Sequence, residues 1–534
     1  MRIRIPLTEA VATRDGTTTK DSKIVNGFLD VRNKKPAVTK RFGLTTYASL
    51  PVGEGQGMFY LSGTVYAIIA DKLYSSTGTN YPYTQPSILG EVYQVLSDIY
   101  GTSVFFKSSK AGYTFNGTTV TKITDANYPA TTVPGIVYLD GTYYIMDTNS
   151  SLWGSNLDDP TTWSALNEIK SNSVAGVPVA LARYLNYVVA FKDNSIEFFY
   201  DAANALGSPL SPAPNGLLTV GCASADSVVQ IDNEVLFISR TIQKGRSVSL
   251  MHGLNTHPVS TPEIDRILNN DDLASVYSFS IKIQGHNFYV LSLTTSKITV
   301  VYDLITKQWS IWTYLTPQTP KTVSSLTYSN GIVTASITAH GLSDGDPITI
   351  AGSVQTQYNG TFSVSYIDAN TLSYTPATTP SVSPATGTIT ATTYVEGYLP
   401  LNTYVSSGSQ DLLLHELNGK IYVASPTSYM DDVSPINFEI VTNPFDMDTT
   451  DTKFISRLEL VGDKTSTYCY MRYTDDDYQT YSLYRPVNMA SSRSQLLRNG
   501  ATQRRAVQIK HIDNTACVVD FLDVEFSMEI AETR

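Results

Sequence analysis

One plan recurs along this chain: a glycine or polar turn, an apolar strand, a second turn and a second strand. "GTVYAIIADKLYSS" (63–76), "GTSVFFKSSKAGYTFNG" (101–117) and "GTYYIMDTNSSLWGSNLDDPTTW" (141–163) follow it. So do "NYVVAFKDNSIEFFYD" (186–201), "NEVLFISRTIQKGRSVSLMHG" (233–253) and "HNFYVLSLTTSKITVVYDLITKQWSIW" (286–312), and "NGKIYVAS" (418–425) starts again after a gap. Self-similarity at roughly 30–50 residues per unit is the signature of a β-propeller or another radial array. A small antiparallel sheet cannot bury both faces alone, whereas sheets stacked about an axis bury them and leave short edges. Within the last full unit, Asp303 is expected to bond its own backbone at a turn. Trp309 is expected to cap the gap to the next sheet.

The expected fold is therefore all-β: a β-propeller-like core, an inserted small β-sandwich module and a C-terminal β-domain. The 35 Tyr against 18 Phe suit pleated surfaces that are apolar on one side and wet on the other. The expected boundaries are first strands with a basic arm over 1–50, propeller body over 51–320, and a return to it over 392–430. Residues 321–391 hold only Lys321, Asp344, Asp346 and Asp368 as charges among Thr, Ser, Val and Ala, and form the inserted module; 431–534 form the C-terminal domain. Helix is rare, and "STPEIDRILNN" (260–270) is its best candidate, with Ser260 or Thr261 as cap and Pro262 in the first turn.

Few features carry chemistry. Cys222, Cys469 and Cys517 are odd in number and widely spaced, so buried free thiols are expected rather than a disulfide framework. No apolar run reaches the ~18 residues that span a bilayer, and a soluble protein made in a reducing compartment is expected. The six histidines show no HxH, HxxxH or HExxH spacing, and nucleotide-loop and GxSxG motifs are absent. "YTDDDYQTYS" (473–482) has the Asp-box spacing at Thr474, Asp476, Thr480 and Tyr481, with Tyr478 in place of a glycine. A hairpin turn is the expected reading. A Ca²⁺ site from Asp475, Asp476 and Asp477 is disfavoured because neighbouring carboxylates on a strand point to opposite faces.

Charge is uneven. Residues 1–44 hold ten Lys or Arg against four Asp or Glu, a balance of +6, which leaves −17 on the rest of a chain whose net charge is −11. An acidic body argues against gripping nucleic acid along its length. Two basic stretches are candidates for docking onto an acidic protein surface. One carries Arg32, Lys34, Lys35, Lys40 and Arg41; the other carries Arg493, Arg498, Arg504 and Arg505 in a run with no acid between Asp477 and Asp513.

"IVNGFLDVRNKKPAVTKRFGL" (24–44), with its Asn-Gly strand and its Lys40-Arg41-x-Gly43-Leu44 turn, resembles the opening of short-tailed phage tail nozzle proteins, the packaged-DNA stabilisation or tail tubular group. "SIEFFYD" (195–201), "HPVSTPEIDRIL" (257–268), "VYDLITKQWSIW" (301–312) and the "RYTDDDYQTYS" hairpin are similar to further markers of that group. Phe42 stands where Pro is common. The resemblance implies a virion tail protein made in the host cytoplasm, six copies of which form a tube under the portal and adaptor proteins. Tail fibre, spike or needle proteins would be further partners, and genomic DNA would pass transiently. It implies no catalysis, metal or cofactor. A receptor-binding or fibre-docking protein is the alternative, and a propeller glycosidase a third.

Overall fold

The computed structural model describes residues 1–7, 22–32, 35–84, 90–98, 100–241 and 245–528. Backbone contacts divide the chain into two units. One comprises Thr46–Lys307 and Pro400–Ala424; the other comprises Met1–Thr45, Gln308–Leu399 and Ser425–Arg534.

The first unit is a ring of seven antiparallel sheets. Blades 1 to 6 occupy 55–81, 94–122, 137–170, 178–218, 221–258 and 276–303 in chain order. Blade 7 is built by Leu401–Ser406, Asp411–His415 and Lys420–Ser425, with Gly43–Ser49 as a further strand from far upstream. Ala48 and Leu50 join Leu412, Leu414 and Ile421 in one apolar cluster with Met58, Val65 and Ala67 of blade 1. Leu50 N donates to Gly419 O at 2.9 Å across the same closure. The propeller is therefore closed within a single chain, by pairing the start of the ring with its end.

Each gap between blades is filled by side chains that alternation on the strands sends to one face. Phe59 and Tyr66 of blade 1 meet Phe106, Tyr113 and Phe115 of blade 2 in a dry aromatic cluster. Phe105 and Ile123 of blade 2 meet Tyr143, Ile145 and Trp163 of blade 3. Leu139 and Met146 of blade 3 meet Leu181 and Phe199 of blade 4, and Phe191 and Phe198 of blade 4 meet Phe237 and Met251 of blade 5. Tyrosine does more here than phenylalanine can, because its hydroxyl bonds the neighbouring blade. Tyr93 OH donates to Asp71 Oδ1 (3.1 Å), Tyr289 OH donates to Ser227 O (2.8 Å), and Tyr184 OH accepts from Gly253 N (2.7 Å).

The aspartate turns form as expected. Asp303 accepts from Ile305 N (2.9 Å) and Thr306 Oγ1 (2.6 Å), and its other partner is His286 Nδ1 at 2.7 Å. Asp147 does the same with Asn149 N and Ser151 N. Trp309, expected to cap a gap, is half-buried, and Trp163 fills the gap between blades 2 and 3, its backbone N held by Asp125. The helix spans Pro262–Asn270 with Thr261 Oγ1 accepting from Ile264 N, and it buries Ile264, Ile267 and Leu268.

The second unit is a β-sandwich with a module inserted in it. One sheet runs Gly27–Arg32, Lys35–Lys40, Val518–Met528, Lys453–Gly462 and Gln495–Leu497, with Arg2–Pro6 added to Val518–Met528. The facing strands are Gln308–Pro317, Lys23–Val25, Phe438–Val441, Ala506–His511, Tyr468–Thr474 and Arg485–Asn488. Val38, Ile440, Leu460, Met471, Ile509 and Val524 are among the side chains between them. The N-terminal strands are thus woven into the C-terminal domain; the expected basic arm is not free over 23–40. Cys469 and Cys517, 48 residues apart in sequence, meet in this core with sulfurs 3.6 Å apart, and Cys222 is buried in the propeller.

Residues 321–392 form two four-stranded sheets around Leu326, Val333, Ile348, Ile350, Tyr358 and Leu372. A two-stranded stem carries the module, Gln308–Pro317 pairing antiparallel with Tyr394–Tyr398. Its Gly345 lies flat against the Tyr484 ring, where a Cβ would collide. Tyr289→Phe removes a fully buried hydroxyl and strands the Ser227 carbonyl. It should lower the unfolding free energy by about 1–3 kcal/mol in urea titrations, whereas Tyr60→Phe on the exposed rim should lower it by less than about 0.5 kcal/mol.

Candidate interaction surfaces

The nine basic residues expected to dock do not act together. Lys34 and the side chain of Arg32 lie outside the described residues. Lys35, Arg493 and Arg498 are exposed, and Arg504 is half-buried. Lys40, Arg41 and Arg505 are each 1% exposed, and this corrects the expectation: they spend their charge inside the chain.

Arg41 is the centre of the sandwich's polar interior. Its guanidinium donates to Asp431 through Nη1 (Oδ1, 2.9 Å) and Nη2 (Oδ2, 2.5 Å), the two-pronged geometry that suits a planar cation. The remaining N–H groups reach Asn26 Oδ1 (2.9 Å), Phe42 O (3.0 Å) and Thr313 O (3.0 Å), so the buried ion is fully bonded. Asn26, at φ 53°, uses its amide to bond Asn437 O and Thr313 Oγ1 in turn. Trp312 closes the site from the apolar side, edge-on to Phe42 and 5.8 Å from the guanidinium. Gly43 is required because the backbone at Met430 approaches so closely that any Cβ would overlap its carbonyl. The Lys-Arg-x-Gly-Leu turn is thus a clamp joining three segments distant in sequence.

Lys40 sits in a second buried cluster. Its ammonium donates to Asp513 O (2.8 Å) and lies 3.3 Å from His511 Nδ1, while Thr467 bridges His511 Nε2 and Asp513 Oδ2. Burial lowers the Lys40 amine to about 7 and pushes His511 well below its ordinary value. Arg505 repeats the Arg41 solution: both prongs reach Asp475 at 2.7 Å, Nη1 reaches Asn499 O, and the plane rests 3.7 Å over Tyr473.

The three aspartates of the hairpin diverge accordingly. Asp475 faces Arg505. Asp476 accepts from Thr480 N and Oγ1, Gln479 N and Thr474 Oγ1, and the Thr480 bonds pull its carboxyl down to about 2. Tyr478 occupies the glycine position at φ 65°, held there by burial of its ring and a 2.8 Å bond from its hydroxyl to Thr442 O. Among the described residues no group of three His, Cys, Asp or Glu side chains is placed to hold a metal ion. His252 and His257 stand with ring centres 6.0 Å apart on an exposed hairpin.

The propeller holds two cavities, of about 210 and 170 Å³, between residues of several blades. Tyr93, Gln94, Asp226, Tyr277, Asn402 and Tyr404 are among the walls of the larger. Asp226 touches the cavity's solvent yet is hemmed in by protein, and this desolvation, then Glu91, raises its carboxyl to about 6. Sequence reasoning missed this lining, whose residues come from four blades.

The fold defines the class, a seven-bladed β-propeller closed within one chain. A family model described as "Bacteriophage P22 Gp10, beta-propeller", of a phage stabilisation family, matches residues 17–335, well over half of the chain. The chain belongs to that family, and it is a structural protein of the phage tail. A search of curated proteins gives no match. Solved structures are similar only distantly. They include the computationally designed Ika8 protein, at 9% identity over 71% of this chain and 99% of that one, with a TM-score of 0.36. The N-terminal domain of Nup159 gives 10%, 74%, 97% and 0.33, and U3-55K gives 10%, 62%, 98% and 0.33.

Arg41→Met leaves Asp431 buried without its counter-ion. It should cost about 3–5 kcal/mol in chemical unfolding, while Lys35→Glu and Arg493→Glu should stay within about 0.5 kcal/mol. Equal losses from both classes would refute the division into buried and exposed arginines.

Two of the buried lysines, Lys40 and Lys107, are lowered from 10.5 to about 7 by burial. Above pH 7 the unfolded chain keeps protons that the folded chain has released, so stability should rise with pH, by at most about 1.4 kcal/mol per unit for each lysine. Above about pH 9 the Cys222 thiol, raised to about 12 by burial, ionises first in the unfolded chain and works against the lysines, so the climb slackens. Thermal midpoints measured from pH 7 to 9 should climb, and Lys40→Met with Lys107→Met should flatten the climb.

Proposed function

We propose that this chain is the wall subunit of a tail nozzle. Six copies would form a tube beneath the portal and adaptor rings, retain the packaged genome and conduct it on infection, without catalysis. Membership of the phage stabilisation family carries this reading. The closed propeller supports it: its blades pack against one another within one chain, so its outer surface is what remains for neighbouring copies, and a conduit would lie between several of them. The acidic balance of −17 outside residues 1–44 would keep phosphate from adhering to such a wall. With Lys40, Arg41 and Arg505 committed internally, Lys35, Arg493 and Arg498 are the residues proposed to seat on a neighbouring ring or subunit.

The inserted module favours a second role beside this one. All four residues of its edge strand Ser365–Asp368 are exposed, including Tyr366 and Ile367, which suits a contact with a fibre or receptor.

Electron micrographs of the purified protein should show six-fold rings; monomers that persist at high concentration would count heavily against the nozzle. In virions, Lys35→Glu with Arg493→Glu and Arg498→Glu should give heads that fill and then leak, and heads that hold their DNA would remove these residues from the seating surface. Deleting 321–391 should leave particles assembled but reduce adsorption if the module carries the second role.

A further inference from the structure

One end of blades 2 to 4 is apolar in its middle and acidic around it. Tyr100 and Leu157 are each 73% exposed and Leu185 is 44% exposed, all at the tips of hairpins that turn at this end. They are contiguous. Tyr138, next to Tyr100, donates from its hydroxyl to Asp158 Oδ1, and Arg183 bonds both Tyr138 O and Leu185 O at 3.1 Å. Five carboxylates surround them: Asp98, Asp158 and Asp159 act on the Tyr143 hydroxyl, and Asp140 and Asp201 on that of Tyr144. The cation placed among them, Arg183, is already bonded to backbone carbonyls. Three large exposed side chains inside a ring of one sign mark a binding surface rather than a solvated rim.

The sandwich unit carries the opposite pattern. Strand Gln495–Leu497 ends one of its sheets, with Leu497 52% exposed. Arg493 and Arg498 flank it along the chain, both exposed, and Arg457 pairs opposite Leu497, while the nearest acid on the next strand, Glu459, stands opposite Gln495. An exposed leucine flanked by arginines thus exists on the same chain as an apolar centre with acidic borders. Two different patches on one subunit make a head-to-tail contact, which closes into a ring when the rotation permits.

We propose that the acidic end of blades 2 to 4 receives the Arg493–Arg498 edge of the next copy of this chain. This deepens the nozzle reading and rests on it, naming the faces through which adjacent subunits would meet. Opposite charge at the border would set register and the apolar centres would supply contact area.

Charge reversal tests the pairing. The full-length protein is made as wild type, as Asp140→Lys with Asp158→Lys, as Arg493→Glu with Arg498→Glu, and with all four changes together. Assembly is followed by sedimentation velocity and electron microscopy at about 50 and 300 mM NaCl, which spans the change from weak to strong screening. Each double variant should raise the assembly midpoint concentration at least about tenfold, and the fourfold variant should recover most of that loss. Rings that form normally in both doubles overturn the pairing and leave the ring itself standing. Doubles that dissociate without recovery in the fourfold variant also overturn it, because the two patches then do not face each other. A wild type that forms no ring at any concentration ends both readings. Leu157→Ser and Leu497→Ser change no charge; each should weaken assembly at an unchanged thermal midpoint, and they decide the matter should a reversed variant fail to fold.

Discussion

A four-stranded sheet has two faces and too little material to cover either. Everything in the propeller follows from this shortage. The ring solves it by making each blade the cover of the next, and a ring leaves no face uncovered only if it closes. Closure here joins Leu50 to the Gly419 turn and packs both against blade 1. The tyrosines then convert stacking into registration: an apolar ring between two sheets is held by dispersion alone, while Tyr289 and Tyr184 also fix the neighbour through one hydrogen bond each. An excess of Tyr over Phe is thus what a wall of stacked small sheets selects.

Closure by an upstream strand also determines where the two ends of the chain go. The segment entering at Thr46 and the segment leaving at Ala424 belong to the same blade, and the strands on either side of them in sequence build one sandwich. The Arg41 cluster lies inside that sandwich unit. It gathers Asn26 from the first strands, Thr313 from the stem of the inserted module and Asp431 from the chain just after closure. A buried ion pair contributes little net stability, yet losing one partner is costly. Such a cluster penalises every arrangement in which those three segments fail to meet.

The periodic part of this architecture was legible in the sequence. Repeats of glycine turn and apolar strand, the aspartate turns, the Thr261-capped helix and the low-charge block at 321–391 are local signals, and local signals reach the eye. What stayed hidden depends on distant partners. Arg41 and Arg493 are the same residue type in similar basic runs, yet one is buried against Asp431, 390 positions away, and the other faces water. No window of sequence contains that difference. Trp163 and Trp309 occupy the same place in the repeat, yet Trp163 is buried against blade 2 while Trp309 is half-buried. Tyr478 stands where a glycine is usual, and its positive φ is offset by a buried ring and the Thr442 bond, neither of which the hairpin's own sequence announces.

The fate of the lysines bears on the charge that this tail protein shows to water. Lys40, Lys107 and Lys453 are buried and bond backbone carbonyls. A cation held by carbonyls leaves the surface without pairing with a carboxylate. Desolvation adds to this by bringing Lys40 and Lys107 to about 7, where each is protonated only part of the time. Arginine, which cannot follow them, is instead neutralised in place by Asp431 and Asp475. The chain thus removes cations from its exterior by two separate routes, and those that remain exposed in the sandwich unit, such as Arg493 and Arg498, stand out against an acidic background as sites for protein contact.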